Sequence, residues 1–229
     1  MKLSNNRKAR LSYYLFDWAN SPFSTIIITF IISSYFVNKI AADKIEGTSL
    51  WGWMIATSSF LVAILGPVLG FIADNKKNFS YYILTLLTIL IVFLCSMLWF
   101  AKPNTHFIWF TLLIILFANT FFETSQIFYN SLLPKFRKTI PIGQFSGTAW
   151  AYGYLGGIFC LCLILFLLVL PTKNIFGLDK NNYEHIRLTG PIVAIWYLLF
   201  SIPFLKTCRN FQTKFKLNKN KESFISNII

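Results

Sequence analysis

The stretch YLFDWANSPFSTIIITFIIS, residues 14–33, is almost entirely apolar or small, but it carries Asp17 and Asn20 near its start. About 20 apolar residues, each rising about 1.5 Å, form a helix long enough to cross a hydrocarbon core of about 30 Å. The stretch therefore predicts a transmembrane helix. An ionisable side chain at membrane depth is costly unless it faces the bundle interior or a water-filled cavity. The carboxylate of Asp17 is therefore a candidate for a functional site.

The rest of the chain has the same character. Of its 229 residues, 55% are hydrophobic and 13% are charged, whereas an ordinary soluble domain has about 25% charged residues. We predict an all-α integral membrane protein with a ten-residue N-terminal segment, six transmembrane helices and a basic tail over 206–229. The predicted spans are approximately 11–38, 51–73, 79–101, 107–131, 143–170 and 187–205.

The basic residues predict the orientation of these spans. With both termini in the cytoplasm, 15 of the 21 Lys and Arg residues lie on the cytoplasmic side, which is the excess that cytoplasmic loops carry. The net charge of +13 thus indicates topology and not nucleic-acid binding, since no soluble basic face remains. We expect a multi-pass protein of the cell (inner) membrane, in contact with the lipid bilayer and with no nucleic-acid partner.

Motifs for catalysis or metal binding are missing from the sequence. It contains no Walker loop, nucleophile elbow or zinc-protease signature. The cysteines have neither a disulfide framework nor a metal-ligand spacing, because three of the four lie within apolar spans. We therefore expect a protein that is not an enzyme and that needs no metal or cofactor.

A polar stripe runs along the first predicted span. Asp17, Asn20, Ser21 and Ser24 follow one another at i, i+3, i+4 and i+7, which places them on one face of a helix. The structural alternative for a residue such as Asn20 is a hydrogen bond to a neighbouring helix. Asp17 is different, because an unpaired acid at depth tends to exchange protons or cations with a cavity.

A second stripe runs along the fourth span at i, i+4, i+7 and i+11, and it consists of Asn119, Glu123, Gln126 and Asn130. Glu123 lies at a depth similar to that of Asp17, and no Lys or Arg within the spans neutralises either acid. For Asn119, as for Asn20, an interhelical hydrogen bond and a solute contact both remain open. For Glu123 the sequence favours a functional role.

The six spans form two similar triplets. Each triplet consists of a helix with a polar stripe, a helix with small residues at close-packing spacing and a helix without charges or carboxamides that can face lipid. Since three is odd, the second triplet enters the membrane from the opposite side. We predict a 3+3 inverted repeat that brings Asp17 and Glu123 to one central cavity.

The segment GPVLGFIADNKKN, residues 66–78, resembles the loop between helices two and three of major facilitator superfamily transporters. Gly70, Asp74, Lys76 and Lys77 fall on the motif positions, so the resemblance implies a gating loop at these residues. The sequence departs from the motif in lacking the glycine that usually follows the aspartate, and its basic loop is short.

Within that superfamily the chain resembles the vacuole-effluxer-like permeases. The similar stretches are FDWANSPF at 16–23, GTSLWGW at 47–53, FETSQIFYNSLLP at 122–134 and SGTAWAYGYLGG at 146–157. The resemblance implies a secondary carrier with cavity residues on helices one and four, and amino acids as one substrate class. The residues on its motif positions are Asp17, Asn20, Glu123, Tyr129 and Asn130.

A carrier of this superfamily has two six-helix halves with the solute bound between them, and this chain resembles the N-terminal half. We predict half of a secondary active transporter that effluxes a small solute by alternating access. Asp17 and Glu123 would couple an ion or proton, and the carboxamides of Asn20, Asn119, Gln126 and Asn130 would bind solute. The missing half would be a separately encoded chain or a second copy. The alternative is a truncated remnant or a membrane scaffold that transports nothing.

Overall fold

A computed structural model describes residues 2–75, 79–137, 139–171 and 177–226, and side chains over 7–72, 79–137, 139–171 and 177–209. These residues form helices and no β-strand. The α-helices are Lys2–Pro22, Ile31–Tyr35, Lys44–Asn75, Phe79–Met97, Ile108–Arg137, Ile142–Ile164, Glu184–Arg187 and Thr189–Ser226. π-Helical segments cover Phe23–Phe30, Phe36–Ile40 and Leu165–Val169, and 3₁₀ turns cover Leu98–Phe100 and Thr105–Phe107.

The prediction of six membrane-crossing helices is confirmed for the part of the chain that the structure describes. The helices that are long and apolar enough to cross, here called spans 1 to 6, are Arg7–Ile40, Lys44–Ile72, Phe79–Phe100, Thr105–Arg137, Ile142–Val169 and Glu184–Arg209. The last helix continues to Ser226, past residue 205, where the sequence predicts the basic tail to begin. The protein is a multi-pass membrane protein.

The spans pack as two groups, and the largest contact between the groups is that of spans 3 and 6. Span 1 packs against spans 5 and 6, span 4 packs against spans 2 and 3, and spans 3 and 6 pack against each other. Spans 1 and 4 are buried most, with 44% and 50% of their most apolar windows enclosed, whereas span 2 has 6% enclosed. The two helices with polar stripes therefore lie at the centre of the bundle.

Glycines set the distance between spans 1 and 5. A Cβ atom on Gly156 would lie 2.7 Å from the carbonyl oxygen of Trp18, and one on Gly153 would lie 2.7 Å from the Ser21 hydroxyl and 3.4 Å from Cβ of Asp17. Small residues of this kind let two helix backbones approach closely. The crossing holds Asp17 against the bare backbone of span 5.

Span 1 changes its helical winding directly after its acidic turn. Pro22 has no N–H group, and the helix over Phe23–Phe30 is π-helical. Within it the N–H of Ile31 donates to the carbonyl of Ile26, five residues earlier. The α-helical spacing that defines the polar stripe of span 1 thus holds up to Pro22. Ser24, the last residue of the stripe, lies in the π-helical segment. Such turns occur frequently at functional sites.

An arginine fastens the end of the bundle opposite the chain termini. Arg187, the first residue of the predicted sixth span, is 5% exposed. Its Nε donates to the carbonyl of Trp99 at 2.7 Å, its Nη1 donates to the carbonyl of Asn182 at 3.3 Å, and the guanidinium lies 4.9 Å from the Trp99 ring. These contacts join span 6 to span 3.

Replacing Arg187 by methionine should lower the melting temperature of the purified chain. The substitution removes the charged donor of two hydrogen bonds to backbone carbonyl groups, and a hydrogen bond to a charged group contributes about 1.5–3 kcal/mol. Thermal unfolding in detergent micelles measures the effect. Lys102→Gln is the control, because Lys102 is an exposed cation at the same end of the bundle. Equal melting temperatures for R187M and K102Q would contradict a fastening role.

Candidate functional site

A cavity of about 450 Å³ opens between spans 1, 4 and 5. It lies where the two polar stripes face each other. Its lining consists of Tyr13, Asp17, Asn20, Ser21, Ser24, Phe122, Glu123, Gln126, Tyr129, Asn130, Ser146, Ala149, Trp150, Gly153 and Tyr154. The structure thus brings six of the seven predicted binding residues to one cavity.

Several buried polar atoms in the cavity wall have no partner in the protein. Asp17 and Asn20 are 8% and 4% exposed, yet Asp17 Oδ2 and Asn20 Nδ2 make no hydrogen bond. The same holds for Gln126 Nε2 and the Tyr13 hydroxyl. Most buried polar atoms in proteins are hydrogen-bonded. This acceptor and these three donors lie buried just behind the cavity surface, so their side chains must move before a polar solute or water can reach them.

Tyr129 connects span 4 to the acidic turn of span 1. Its hydroxyl donates to the carbonyl of Tyr13 at 3.1 Å, and its ring stacks on the Tyr13 ring with centroids 4.2 Å apart. The hydroxyl also neighbours the Asp17 carboxyl. Since Tyr129 is 2% exposed, it positions Asp17 more than it offers a surface to solute.

Glu123, Gln126 and Asn130 continue the wall along span 4. Glu123 and Asn130 are exposed, and Gln126 is partly buried. Among the described side chains, no Lys or Arg interacts electrostatically with the carboxyl group of Asp17 or Glu123. The cavity therefore holds two acids without a cationic partner, which is the arrangement that the sequence predicted.

Asn119 lies elsewhere. Its side chain is buried, and Nδ2 donates to the hydroxyl of Ser58 on span 2 at 2.8 Å. The Thr120 hydroxyl lies 3.3 Å from the same oxygen. Of the two roles that the sequence left open for Asn119, the structure contains the interhelical hydrogen bond, and Asn119 is not part of the cavity lining.

The predicted gating loop is described only at its start. Gly70 lies in span 2, and a Cβ atom on it would meet no atom within 4 Å. Asp74 lies in the helix Lys44–Asn75, but its side chain falls outside the described residues, as do Lys76 and Lys77 altogether.

Two comparisons with known proteins agree with this architecture. A family model described as "Vacuole effluxer Atg22 like" matches residues 35–144. A curated relative, the "Uncharacterized MFS-type transporter YxiO" of Bacillus subtilis (strain 168), is 27% identical over 207 residues. Both comparisons point to similarity with transporters of the MFS type. No solved structure matches the chain.

The chain spans about half the length of this relative. The aligned region covers 87% of the present chain and 46% of YxiO. The family match includes the stripe of span 4 but begins after the acidic turn of span 1. The predicted resemblance to MFS permeases at half length is therefore confirmed.

Sequence reasoning missed the aromatic part of the cavity wall. Trp150 and Tyr154 on span 5 line the cavity and are 63% and 66% exposed. Their spacing of i, i+4 continues Ser146 along one helix face, and this is the signal that could have placed them together. Tyr13 was missed as well, although it precedes Asp17 by one turn.

Proposed function

We propose that the chain forms the N-terminal half of a secondary active transporter for a small solute, working by alternating access and coupled to protons. The observation that carries this proposal is the pair Asp17 and Glu123, which lie on one cavity without a cationic partner. Intramembrane acids that face a cavity characterise ion pathways and proton relays. The proposal places the protein in the cell (inner) membrane with both termini in the cytoplasm.

The packing pattern supports an inverted 3+3 repeat. In such a repeat, spans 1, 2 and 3 correspond to spans 4, 5 and 6. The contact of span 1 with span 5 then corresponds to that of span 4 with span 2, and the contact of span 1 with span 6 to that of span 4 with span 3. Spans 3 and 6 correspond to each other, and all of these pairs are in contact. Repeats of this type place their solute and ion sites at the interface between the repeats, near the bilayer midplane. The cavity fits this rule, because it lies between span 1 of the first triplet and spans 4 and 5 of the second.

The outer faces of spans 2 and 5 suit packing against a partner half. Span 2 is the least enclosed span. Gly70 on span 2 and Gly143 and Gly147 on span 5 have open space where a Cβ atom would lie. Small residues on an uncovered face suit close packing of another helix. A C-terminal half or a second copy of this chain would cover these faces and close the cavity.

The groups that can hold a proton at this site come from three spans. Tyr13 on span 1, Tyr129 on span 4 and Tyr197 on span 6 are the titratable neighbours of Asp17, and span 5 faces it with Gly153. Glu123 is the second acid of the cavity. Amino acids are the solute class that the vacuole-effluxer resemblance suggests, with Asn20, Gln126 and Asn130 as hydrogen-bonding groups.

Replacing Glu123 by glutamine should abolish the part of solute transport that a pH gradient drives, while leaving the protein folded. Glutamine keeps the size and hydrogen-bonding capacity of the side chain but can no longer exchange a proton. We expect at least a tenfold loss of gradient-driven flux. The measurement is uptake of a labelled amino acid and, in parallel, of its uncharged-carboxyl amide into membrane vesicles that contain the protein, with and without an imposed pH gradient.

Asp179→Asn provides the matched control. Asp179 is an exposed acid outside the spans, and hydrogen bonds from the Asn181 N–H and the Asn182 side chain lower its pKa below the usual value. It stays charged at neutral pH, and the D179N variant should retain gradient-driven flux. If E123Q and D179N behave alike, Glu123 has no coupling role. If the unaltered protein moves nothing under any gradient, the remnant or scaffold alternative gains support.

A further inference from the structure

We propose that the cavity is selective for a protonated amine and that it discriminates against solutes carrying a carboxylate, with Trp150 and Tyr154 as specificity-determining residues. This inference rests on the proposed function, because it names the chemical class of solute for the same site. It differs from the amino-acid expectation in a testable way, since an amino acid carries a carboxylate beside its ammonium group.

The charge of the cavity supports an amine. Its lining contains two carboxyl groups, and it contains no Lys, Arg or His among the described residues. A carboxylate on the solute would face these two acids and would find uncharged donors instead of the guanidinium or ammonium group that binds carboxylates strongly. An ammonium group would instead face the carboxyl groups of Asp17 and Glu123, and Glu123 is the exposed one of the two.

The aromatic wall supports the same choice. The Trp150 and Tyr154 rings lie one helical turn apart on span 5, edge to face, with centroids 6.2 Å apart. Both side chains line the cavity and are largely exposed, so packing within the core does not explain their presence. Aromatic faces attract cations, with Trp the most effective. Two aromatic rings and two acids in the lining of one cavity suit a cationic head.

The carboxamides of the wall add a second requirement. Asn20, Gln126 and Asn130 line the cavity, and the Asn130 side chain is exposed. The Ser21 and Ser24 hydroxyls already donate to the backbone carbonyls of Asp17 and Ser21. A solute that satisfies the site therefore pairs its ammonium group with a neutral acceptor, such as a carbonyl or hydroxyl oxygen.

Three compounds on one carbon skeleton separate these requirements. Leucinamide has the ammonium group and a neutral carbonyl, leucine has the ammonium group and a carboxylate, and 4-methylpentanamide has the carbonyl alone. At pH 7 an α-amino group with a pKa of about 8 is mostly protonated. Equilibrium binding of each compound is measured on the full chain in lipid nanodiscs at low and high salt.

We expect leucinamide to bind at least about tenfold more tightly than either of the other two, and this preference to shrink at high salt because ions screen charges. Equal or tighter binding of leucine would overturn the proposal, as would equal binding of 4-methylpentanamide or the binding of none of the three. Transport is measured separately in vesicles. Selective binding without transport would refute the proposed function alone, and faster transport of leucine than of leucinamide would refute this inference alone.

Substitutions on span 5 test the aromatic wall. Trp150→Leu and Tyr154→Leu should each weaken leucinamide binding about 3- to 30-fold, as the loss of a cation–π contact predicts, and should leave 4-methylpentanamide binding unchanged. Trp109→Leu is the control, because Trp109 is an exposed tryptophan on span 4 outside the cavity lining. An equal loss for both compounds, or no loss for leucinamide, would remove Trp150 and Tyr154 from the specificity determinants.

Discussion

Replacing Gly156 by valine should separate spans 1 and 5 and destabilise the protein more than any other single change considered. The added Cβ would lie 2.7 Å from the carbonyl oxygen and 2.9 Å from Cα of Trp18. Both atoms are backbone atoms of the facing helix, so no side chain can rotate away to relieve the clash. We expect a loss at or above the upper end of the usual overpacking cost, about 3 kcal/mol.

The measurement is the yield and thermal unfolding of the detergent-solubilised chain. Gly147→Val is the matched control on the same helix, since a Cβ atom there meets nothing within 4 Å. G156V should lose most of its folded yield, whereas G147V should melt close to the unaltered protein. Similar melting curves for the two variants would show that the crossing of spans 1 and 5 at Trp18 is wrong.

Replacing Asp17 by asparagine should affect stability and function in opposite directions. The Asp17 carboxyl is enclosed by span 1, span 4 and the glycine face of span 5, and one of its oxygens has no partner. An uncompensated acid in such a place costs stability. The neutral amide has nearly the same shape, so the melting temperature of D17N should equal or exceed that of the unaltered chain.

Solute binding and transport should fall in the same variant. Loss of a hydrogen bond to a charged group costs about 1.5–3 kcal/mol, which corresponds to roughly 10- to 100-fold in affinity. Binding in nanodiscs and flux in vesicles measure this loss beside the melting curve. Asp179→Asn again serves as the control, and its solute binding and flux should be unchanged. A lower melting temperature with unchanged binding would assign Asp17 to structure instead of to the site.

The contrast between Asn20 and Asn119 shows how far sequence reasoning reaches into the site. Both are asparagines on a polar helix face, and for both the sequence allowed either a solute contact or a hydrogen bond between helices. The structure leaves Asn20 Nδ2 unpaired at the cavity and pairs Asn119 with Ser58. Periodicity gives the face on which a residue lies, but it does not identify the helix that faces it.

Span 2 gives the same lesson for packing. The sequence assigned lipid-facing positions to the bare spans 3 and 6, yet these two pack against each other, and span 2 is the least enclosed. In water, an apolar face indicates the core. In a bilayer the lipid is as apolar as the interior, so hydropathy alone does not distinguish a helix that faces lipid from one that faces protein.

The sequence by itself determined the number of spans, the two polar stripes and the two acids without internal cations, because these properties depend on local hydropathy and helical spacing. The tertiary structure decided that Asp17 and Glu123 share a cavity, that Trp150 and Tyr154 complete its wall, and that Arg187 is buried against Trp99. These facts depend on how each helix is rotated and which helices are neighbours. Close backbone contacts at residues such as Gly156 set that arrangement, and no local pattern encodes it.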